Sequence, residues 1–359
     1  MIFHLLTDNP VYIDTFISKA DEIGNEENCY ILIKQGGIKN IKSKNIYQTS
    51  LKGAIEKFNE QKFSRIVIHY LNVPAIEFLN TVDINIPVNW IFWGGDGYKH
   101  PGLKKNLYLP MTKKILNVIN PRKGLKVLWD KYRSYIFQNK LENSLTKIDF
   151  CCTQIKGDYD LIMTAVPNLK MKHKFFAYRG ANNKNEVTAN KTGEFQKVKL
   201  LVGNSANPTN NHIDVLNLLK EFDSKIETIT CPLSYAGSKE YIAKVIEFGK
   251  NTFGEKFIPL IDFLAFDKYQ LLIESINVAV FYHTRQQGYS NTIMMLEQNK
   301  KILMNPSSTL YNMYQNFGVA NVYSNFEDLF SSSLKTNDNL FNSLGDDVIN
   351  DWYKNLLNH

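Results

Sequence analysis

The stretch Tyr282-His283-Thr284-Arg285-Gln286-Gln287-Gly288-Tyr289-Ser290-Asn291-Thr292 sets a cation, a glycine and small polar side chains between two apolar runs. Before it, Asn277 to Phe281 reads as a short buried strand. After it, Ile293-Met294-Met295-Leu296 with Glu297 reads as a helix that Ser290, Asn291 or Thr292 caps. A helix N-terminus offers free N–H groups and a dipole that favours negative charge. Arg285 adds a planar donor fork suited to phosphate. A second loop of this kind, Gly203-Asn204-Ser205, follows the strand Val198 to Val202. Gly203 and Gly288 allow close backbone approach, and Ser205, Ser290, Asn291 and Thr292 can donate to diphosphate oxygens. The chemistry is anion binding.

Activating a hydroxyl calls for a carboxylate or histidine near the bound group. The N-terminal half offers Asp96, in Gly94-Gly95-Asp96-Gly97, and Asp8, in Thr7-Asp8-Asn9, both at strand ends. Asp96 is favoured as base, since its glycine-rich loop is freely placed; a turn aspartate bonding its own backbone has the same signature. Asp8 is the second candidate, as base or as a group that binds acceptor hydroxyls. His4 and His69 lie in strands and read as structural. Tyr235, near a strand end, lines a bound ligand or packs in the core.

These residues need a scaffold, and the apolar pattern supplies one. Strands are expected at Ile2–Leu6, Cys29–Lys34, Arg65–His69, Pro87–Trp93, Ile148–Thr153 and Leu161–Val166, with helices opening at Pro10, Ser50 and Pro74 and a long basic helical segment from Leu103 to about Ser144. After a linker rich in Asn, Gly and Lys (Arg179 to Glu194), the alternation restarts. Strands follow at Val198–Val202, Ile226–Cys231, Glu255–Leu260, Asn277–Phe281 and Lys301–Met304, with helices between. Strands alternating with helices predict parallel α/β sheets. The expected division is 1–195, 196–330, and a helical tail, 331–359, packing back on the first domain. Periplasmic binding proteins and sugar-nucleotide 2-epimerases share this pattern, so fold alone assigns no chemistry.

At 359 residues the chain suffices for two cores. Apolar content of 44% and charged content of 21% exclude a disordered chain. Cys29, Cys151, Cys152 and Cys231 show no zinc spacing and read as reduced thiols. The N-terminus lacks a basic leader, and no apolar run reaches the ~20 residues of a membrane span. The net charge of +7 suits an anionic substrate or membrane surface. Lys34, Lys39, Lys42, Lys44, Lys99, Lys104, Lys105, Lys113, Lys114, Arg122, Lys123 and Lys126, with interleaved Leu, Ile, Tyr and Trp, form a candidate interfacial surface. No aromatic-basic RNA motif or helix-turn-helix pattern points to nucleic acid.

Trp93-Gly94-Gly95-Asp96-Gly97-Tyr98, Leu201-Val202-Gly203-Asn204-Ser205 with His212, Pro232-Leu233-Ser234-Tyr235 with Glu240-Tyr241-Ile242, and Arg285-Gln286-Gln287-Gly288 occur in this order. In this the chain resembles glycosyltransferase family 56, most strongly from about Val198 to Asn305. The resemblance implies a GT-B fold of two Rossmann-like domains facing a central cleft. It also implies a dTDP-sugar donor and an undecaprenyl-diphosphate-linked saccharide acceptor at the cytoplasmic side of the bacterial inner membrane. The implied donor site comprises Gly203, Asn204, Ser205, Tyr235, Phe263, Leu264, Arg285, Gln286, Gly288, Ser290, Asn291, Thr292 and Glu297. Glu297 takes the ribose hydroxyls, as an acidic residue of this helix does in GT-B enzymes, and Phe263-Leu264 flank the base. No metal or other cofactor is expected: no loop carries a DxD pair, and Arg285 with the helix dipole would stabilise the leaving diphosphate. The alternatives are a UDP- or GDP-sugar-dependent GT-B enzyme of another polysaccharide pathway and a non-catalytic two-domain nucleotide- or sugar-binding protein.

Overall fold

The computed structural model describes residues 1–33, 43, 45–103, 106–121, 125–181, 197–331 and 334–358. In chain order the elements are β1 (Ile2–Leu6), α1 (Pro10–Ile23), β2 (Asn28–Ile33), β3 (Ile46–Thr49), α2 (Leu51–Glu60), β4 (Arg65–Ile68), α3 (Val73–Thr81), β5 (Val88–Ile91), α4 (Pro110–Ile119), α5 (Leu125–Leu145), β6 (Phe150–Cys152), α6 (Lys156–Ala165) and β7 (Lys172–Lys174). There follow β8 (Val198–Val202), α7 (His212–Leu219), β9 (Ile226–Pro232), α8 (Lys239–Phe253), β10 (Phe257–Leu260), α9 (Phe266–Ser275), β11 (Val278–Phe281), α10 (Tyr289–Glu297), β12 (Lys301–Met304), α11 (Thr309–Asn316), β13 (Val322–Tyr323), α12 (Phe326–Ser331), α13 (Asp338–Leu344) and α14 (Asp346–Asn358). The chain forms two compact units. The first holds residues 1–105, 125–180 and 346–359; the second holds 106–124 and 181–345.

The first unit is a seven-stranded parallel sheet in the order β3-β2-β1-β4-β5-β6-β7. The central strands β1, β4 and β5 are almost wholly buried, as a sheet covered by helices on both faces requires. The order reverses between β1 and β4, which opens a crevice at their carboxyl ends. Helix α14 closes this core through Ile349, Tyr353, Leu356 and Leu357, all buried. Its last carbonyls are not left bare: Leu356 O accepts from Arg65 Nη1 at 3.2 Å and from Asn89 Nδ2 at 3.3 Å.

The second unit is a six-stranded parallel sheet, β10-β9-β8-β11-β12-β13, reversing between β8 and β11. Helix α4 packs within this unit, which a single boundary at residue 195 does not anticipate. Asp214 on α7 accepts from Met111 N at 2.9 Å and Thr112 N at 2.8 Å, and Asn211 Oδ1 accepts from Leu109 N at 2.9 Å. A carboxylate at the positive end of α4 thus satisfies N–H groups that the helix cannot satisfy itself.

One local expectation fails. Leu161 to Val166 is not a strand but the second half of α6 and its C-cap. Asp158 and Ile162, one turn apart, are buried while Leu161 is 39% exposed, so the burial follows a helical period. The strand beyond β6 is instead β7, Lys172-His173-Lys174, an edge strand with no apolar run. The linker expected over Arg179–Glu194 falls mostly on 182–194, outside the described residues, as do Lys34, Lys39, Lys42, Lys44, Lys104, Lys105, Arg122 and Lys123.

Candidate functional site

In the second unit the switch point brings two loops together. Gly203, just past β8, has φ +73 and donates its N–H to Val280 O at 2.9 Å, which ties it to β11. The turn is then held by Asn210, almost fully buried, which accepts from Asn204 N at 3.3 Å and donates to Ser205 O at 2.9 Å. The second loop crosses to the first through Gln287, whose Nε2 donates to Asn204 Oδ1 at 2.8 Å and whose Oε1 accepts from Thr209 Oγ1 at 2.5 Å. Arg285 Nε reaches the same Thr209 hydroxyl at 3.4 Å. A Cβ on Gly288, where φ is +70, would meet Asn204 Cγ at 3.5 Å; the positive φ is what demands glycine.

Helix α10 begins directly after Gly288, its N-cap, and no side chain caps it. Neither Ser290 nor Asn291 nor Thr292 serves as the cap, because all three already lie within the first turn. Thr292 N makes the first i→i−4 bond of the helix, to Gly288 O at 3.0 Å, so the N–H groups of Tyr289, Ser290 and Asn291 precede the helical ladder, and Ser290 and Asn291 are half-buried there. An uncapped N-terminus beside an arginine at a sheet switch point can hold an anion.

His283 sets the curve of this loop. It is fully buried; its Nδ1–H donates to Arg285 O at 2.8 Å, and its buried Nε2 makes no hydrogen bond among the described residues. Burial first, then the Arg285 charge, lowers its pKa to about 3.

Not every expected donor ligand is available. Thr292 is fully buried, its hydroxyl bonded to Tyr289 O and Tyr314 OH, both at 2.7 Å. Ser205 is buried, and its Oγ accepts from Asn207 N and Asn210 Nδ2 at 3.4 Å. Both hold the scaffold rather than face a ligand. Glu297 is the final residue of α10, more than two turns from Gly288. Tyr235 is half exposed, with its carbonyl accepting from Ala206 N at 2.8 Å, and Phe263 is 79% exposed beside half-buried Leu264, after β10. Gln286 is half-buried in the arginine loop. Thr209, Asn210 and Gln287 escaped the sequence reading: Gln287 stood inside a recognised motif, but nothing marked Thr209 or Asn210 beyond a polar loop.

In the first unit, Asp96 has no exposed surface. Its Oδ2 accepts from Trp90 Nε1 at 2.8 Å and Leu71 N at 3.2 Å, and its Oδ1 accepts from Trp93 N at 3.1 Å. Burial raises its pKa against the pull of these hydrogen bonds. A carboxylate so enclosed anchors the Trp93–Tyr98 loop, and the expectation that it serves as base is corrected accordingly. Asp8 is exposed just past β1, at the switch point. Three aromatic residues follow the carboxyl ends of β1, β4 and β5: Tyr12 in the first turn of α1, Tyr70 after β4 and Trp93 after β5. Trp93 makes edge contacts with Tyr12 at 5.1 Å and Tyr70 at 5.9 Å between centroids. Lys99 Nζ lies 5.1 Å above the Tyr70 ring.

Several solved structures share this arrangement of elements. A trehalose-6-phosphate structure from E. coli bound with UDP-2-fluoro glucose matches with TM-score 0.60 and 9% identity, covering 100% of this chain and 98% of that one. The UDP-forming α,α-trehalose-phosphate synthase of Burkholderia xenovorans, in complex with glucose-6-phosphate, matches with TM-score 0.62 and 8% identity, covering 99% of both chains. The N-terminal domain of Candida albicans trehalose-6-phosphate phosphatase gives TM-score 0.62 and 11% identity over 99% of this chain and 95% of that one. At such identities the likeness shows the fold, two Rossmann-like parallel-sheet domains of GT-B type. The family model for 4-alpha-L-fucosyltransferase glycosyl transferase group 56 matches residues 131–328, more than half of the chain. With the family model matching more than half of the chain and the GT-B fold in place, the chain is a glycosyltransferase and belongs to glycosyltransferase group 56.

Proposed function

We propose that the enzyme transfers a deoxyamino sugar, of the 4-acetamido-4,6-dideoxygalactose type, from a dTDP-sugar to an undecaprenyl-diphosphate-linked saccharide. The reaction serves bacterial surface polysaccharide synthesis. The observation that carries this reading is the uncapped N-terminus of α10 beside Arg285, at the β8/β11 switch point. There the diphosphate of the donor is held by first-turn N–H groups and the guanidinium, which also stabilise it as leaving group. Gly203 and Gly288 let backbone approach it. Asn204, Gln286, Ser290 and Asn291 complete the polar wall, Tyr235 lines the sugar side, and Phe263 with Leu264 flanks the base. Glu297 takes the ribose hydroxyls. Asp8 serves as general base for the acceptor hydroxyl, being the exposed carboxylate at the first unit's switch point.

The acceptor's lipid calls for a membrane surface, and helix α5 supports peripheral contact at the cytoplasmic side of the inner membrane. Its inner face buries Leu141, Ser144 and Leu145. Its opposite face carries Trp129, Tyr132, Tyr135 and Ile136 in solvent, with Trp129 64% and Tyr135 62% exposed. Exposed Lys131, Arg133 and Lys140 accompany them. Aromatic side chains with flanking cations suit the anionic headgroup layer. Among the described residues no helix is long and apolar enough to cross a membrane.

Calorimetry of the full chain with dTDP, UDP and GDP tests the donor reading. Tightest binding by dTDP is expected. UDP or GDP binding in its place overturns the donor identity, and no binding by any of the three overturns the glycosyl-donor site itself.

A further inference from the structure

Beneath the aromatic rings of the first unit runs a line of hydrogen bonds through the core of the sheet. Trp93 Nε1 lies 3.2 Å from Tyr178 OH, which lies 2.8 Å from His69 Nδ1. His69 Nε2 lies 3.2 Å from His4 Nδ1, and His4 Nε2 lies 2.9 Å from Asn28 Oδ1. Asn28 Nδ2 then donates to Asp21 Oδ1 at 3.2 Å. His4 and His69 are fully buried and Tyr178 nearly so.

The two ends fix the direction of every bond. An indole N–H only donates, so Tyr178 accepts from Trp93; with both buried histidines neutral, the Asn28 end requires Tyr178 to give its own proton to His69 Nδ1. His69 therefore carries its proton on Nε2 and donates to His4 Nδ1. His4 in turn carries its proton on Nε2 and donates to the Asn28 carbonyl. At the far end a carboxylate only accepts, which fixes the Asn28 amide in that orientation. Every donor along the line has an acceptor, and the bonds reinforce one another. A buried network of two histidines is a costly way to fill a sheet core that apolar side chains would fill without penalty.

Its one end at a ligand-binding position is Trp93. The indole is partly exposed, two residues past β5, and shares its surroundings with Tyr12 and Tyr70 from the strand ends on either side of the switch point. Gly94 takes φ +89 and a Cβ on Gly95 would meet Tyr70 OH at 3.1 Å, so the two glycines let the loop lie against that ring. We infer that Trp93 is the ring against which the acceptor saccharide packs, and that Tyr178, His69, His4 and Asn28 are positioning residues that fix the indole plane. This rests on the glycosyltransferase reading and deepens it by naming the acceptor subsite. A sugar presents an apolar C–H face that an aromatic ring can cover, and a ring held in one orientation binds it with less loss of freedom.

The test uses the full chain and a diphosphate-linked N-acetylhexosamine disaccharide on a short citronellyl chain. Titrated without donor, this probe should change the tryptophan fluorescence of the wild type, and Trp93→Phe should remove that change. In turnover, Trp93→Phe should raise the acceptor KM about tenfold, the effect of one aromatic contact of ordinary strength. The kcat and the affinity for dTDP should stay within a factor of about three, a difference too small to count as a lost contact. Tyr178→Phe should raise the same KM severalfold, and the Trp93→Phe/Tyr178→Phe double variant should be no worse than Trp93→Phe alone, because Tyr178 acts through Trp93. Circular dichroism and dTDP binding establish that each variant is folded. A folded Trp93→Phe protein that keeps both the fluorescence change and the wild-type KM overturns the proposal, and so do additive KM effects in the double variant. Loss of dTDP binding by the wild type would strike the donor reading instead, and the donor-free titration would still judge Trp93.

Discussion

Arg285 is the residue on which the donor site turns. Its guanidinium is held beside Thr209, and its carbonyl is fixed by the buried His283. A charged hydrogen bond to phosphate contributes roughly 1.5–3 kcal/mol. Arg285→Ala should therefore weaken dTDP binding by about tenfold to a hundredfold, and calorimetry reads this directly. Unchanged affinity would remove Arg285 from the site. The two acidic candidates separate just as cleanly. Asp8→Asn should leave dTDP affinity intact and abolish turnover, whereas Asp96→Asn should act on stability. In Asp96 the two oxygens take N–H groups from Leu71, Trp90 and Trp93, and an amide turned among them sets N–H against N–H. The expected loss is about 1–3 kcal/mol of unfolding free energy, the cost of an unsatisfied buried polar group, measured by urea titration. Turnover per folded molecule should persist; its abolition would return Asp96 to the catalytic role. The glycine-rich signature of Asp96 was plain in the sequence, but a signature does not tell whether a carboxylate points into solvent or into three donors.

Elements were most readable in the central strands of the two sheets, whereas the helical period of α6 was missed. The parallel strands β1, β4, β8, β11 and β12 are short, mostly apolar runs and β9 is a mixed run of Ile and Thr, and the sequence placed each within a residue or two. Edge strands lack that pattern: β3 and β7 face solvent on one side, carry Gln48, Lys172 and Lys174, and could not be separated from loop. The docking of α4 was equally hidden, since it depends on Asp214 meeting two backbone N–H groups some hundred residues away. Helix α5 breaks the usual rule in a way the pattern alone does not reveal, because its aromatic face is the outer one. Replacing Trp129, Tyr132 and Tyr135 together by serine should spare folding and dTDP affinity. Co-sedimentation with phosphatidylglycerol vesicles should fall severalfold, and the wild type should bind phosphatidylcholine vesicles weakly, since each lipid-facing cation contributes about 1 kcal/mol near an anionic surface. Equal sedimentation of variant and wild type would separate α5 from the membrane.

At the scale of the whole molecule, the buried histidines couple fold to pH. Burial lowers the pKa of His4 and His212 to about 4 and of His283 to about 3, and takes His69 well below the ordinary 6.5. In the unfolded chain all four titrate near 6.5. Between that value and about 4 the unfolded chain binds protons that the native protein refuses, so stability falls as pH falls through this window and is complete above it. A full proton of difference contributes about 1.4 kcal/mol per pH unit. Asp96 works the other way, since its raised pKa lets the native state take a proton earlier, but it is one group against four. His4 and His69 lie in the first unit and His212 and His283 in the second, so both units should weaken together. They can be followed separately. Trp90, Trp93, Trp129 and Trp352, all the tryptophans of the chain, lie in the first unit, so indole fluorescence reports its unfolding while dTDP binding reports the second. Urea midpoints by both signals should drop between pH 7.5 and pH 5. In His283→Gln the pH dependence should shrink for the dTDP signal alone, because that variant removes one titrating group from one unit. Midpoints independent of pH would mean that the histidines are not neutral in the native protein, and the one-directional line from Trp93 to Asp21 would have to be redrawn.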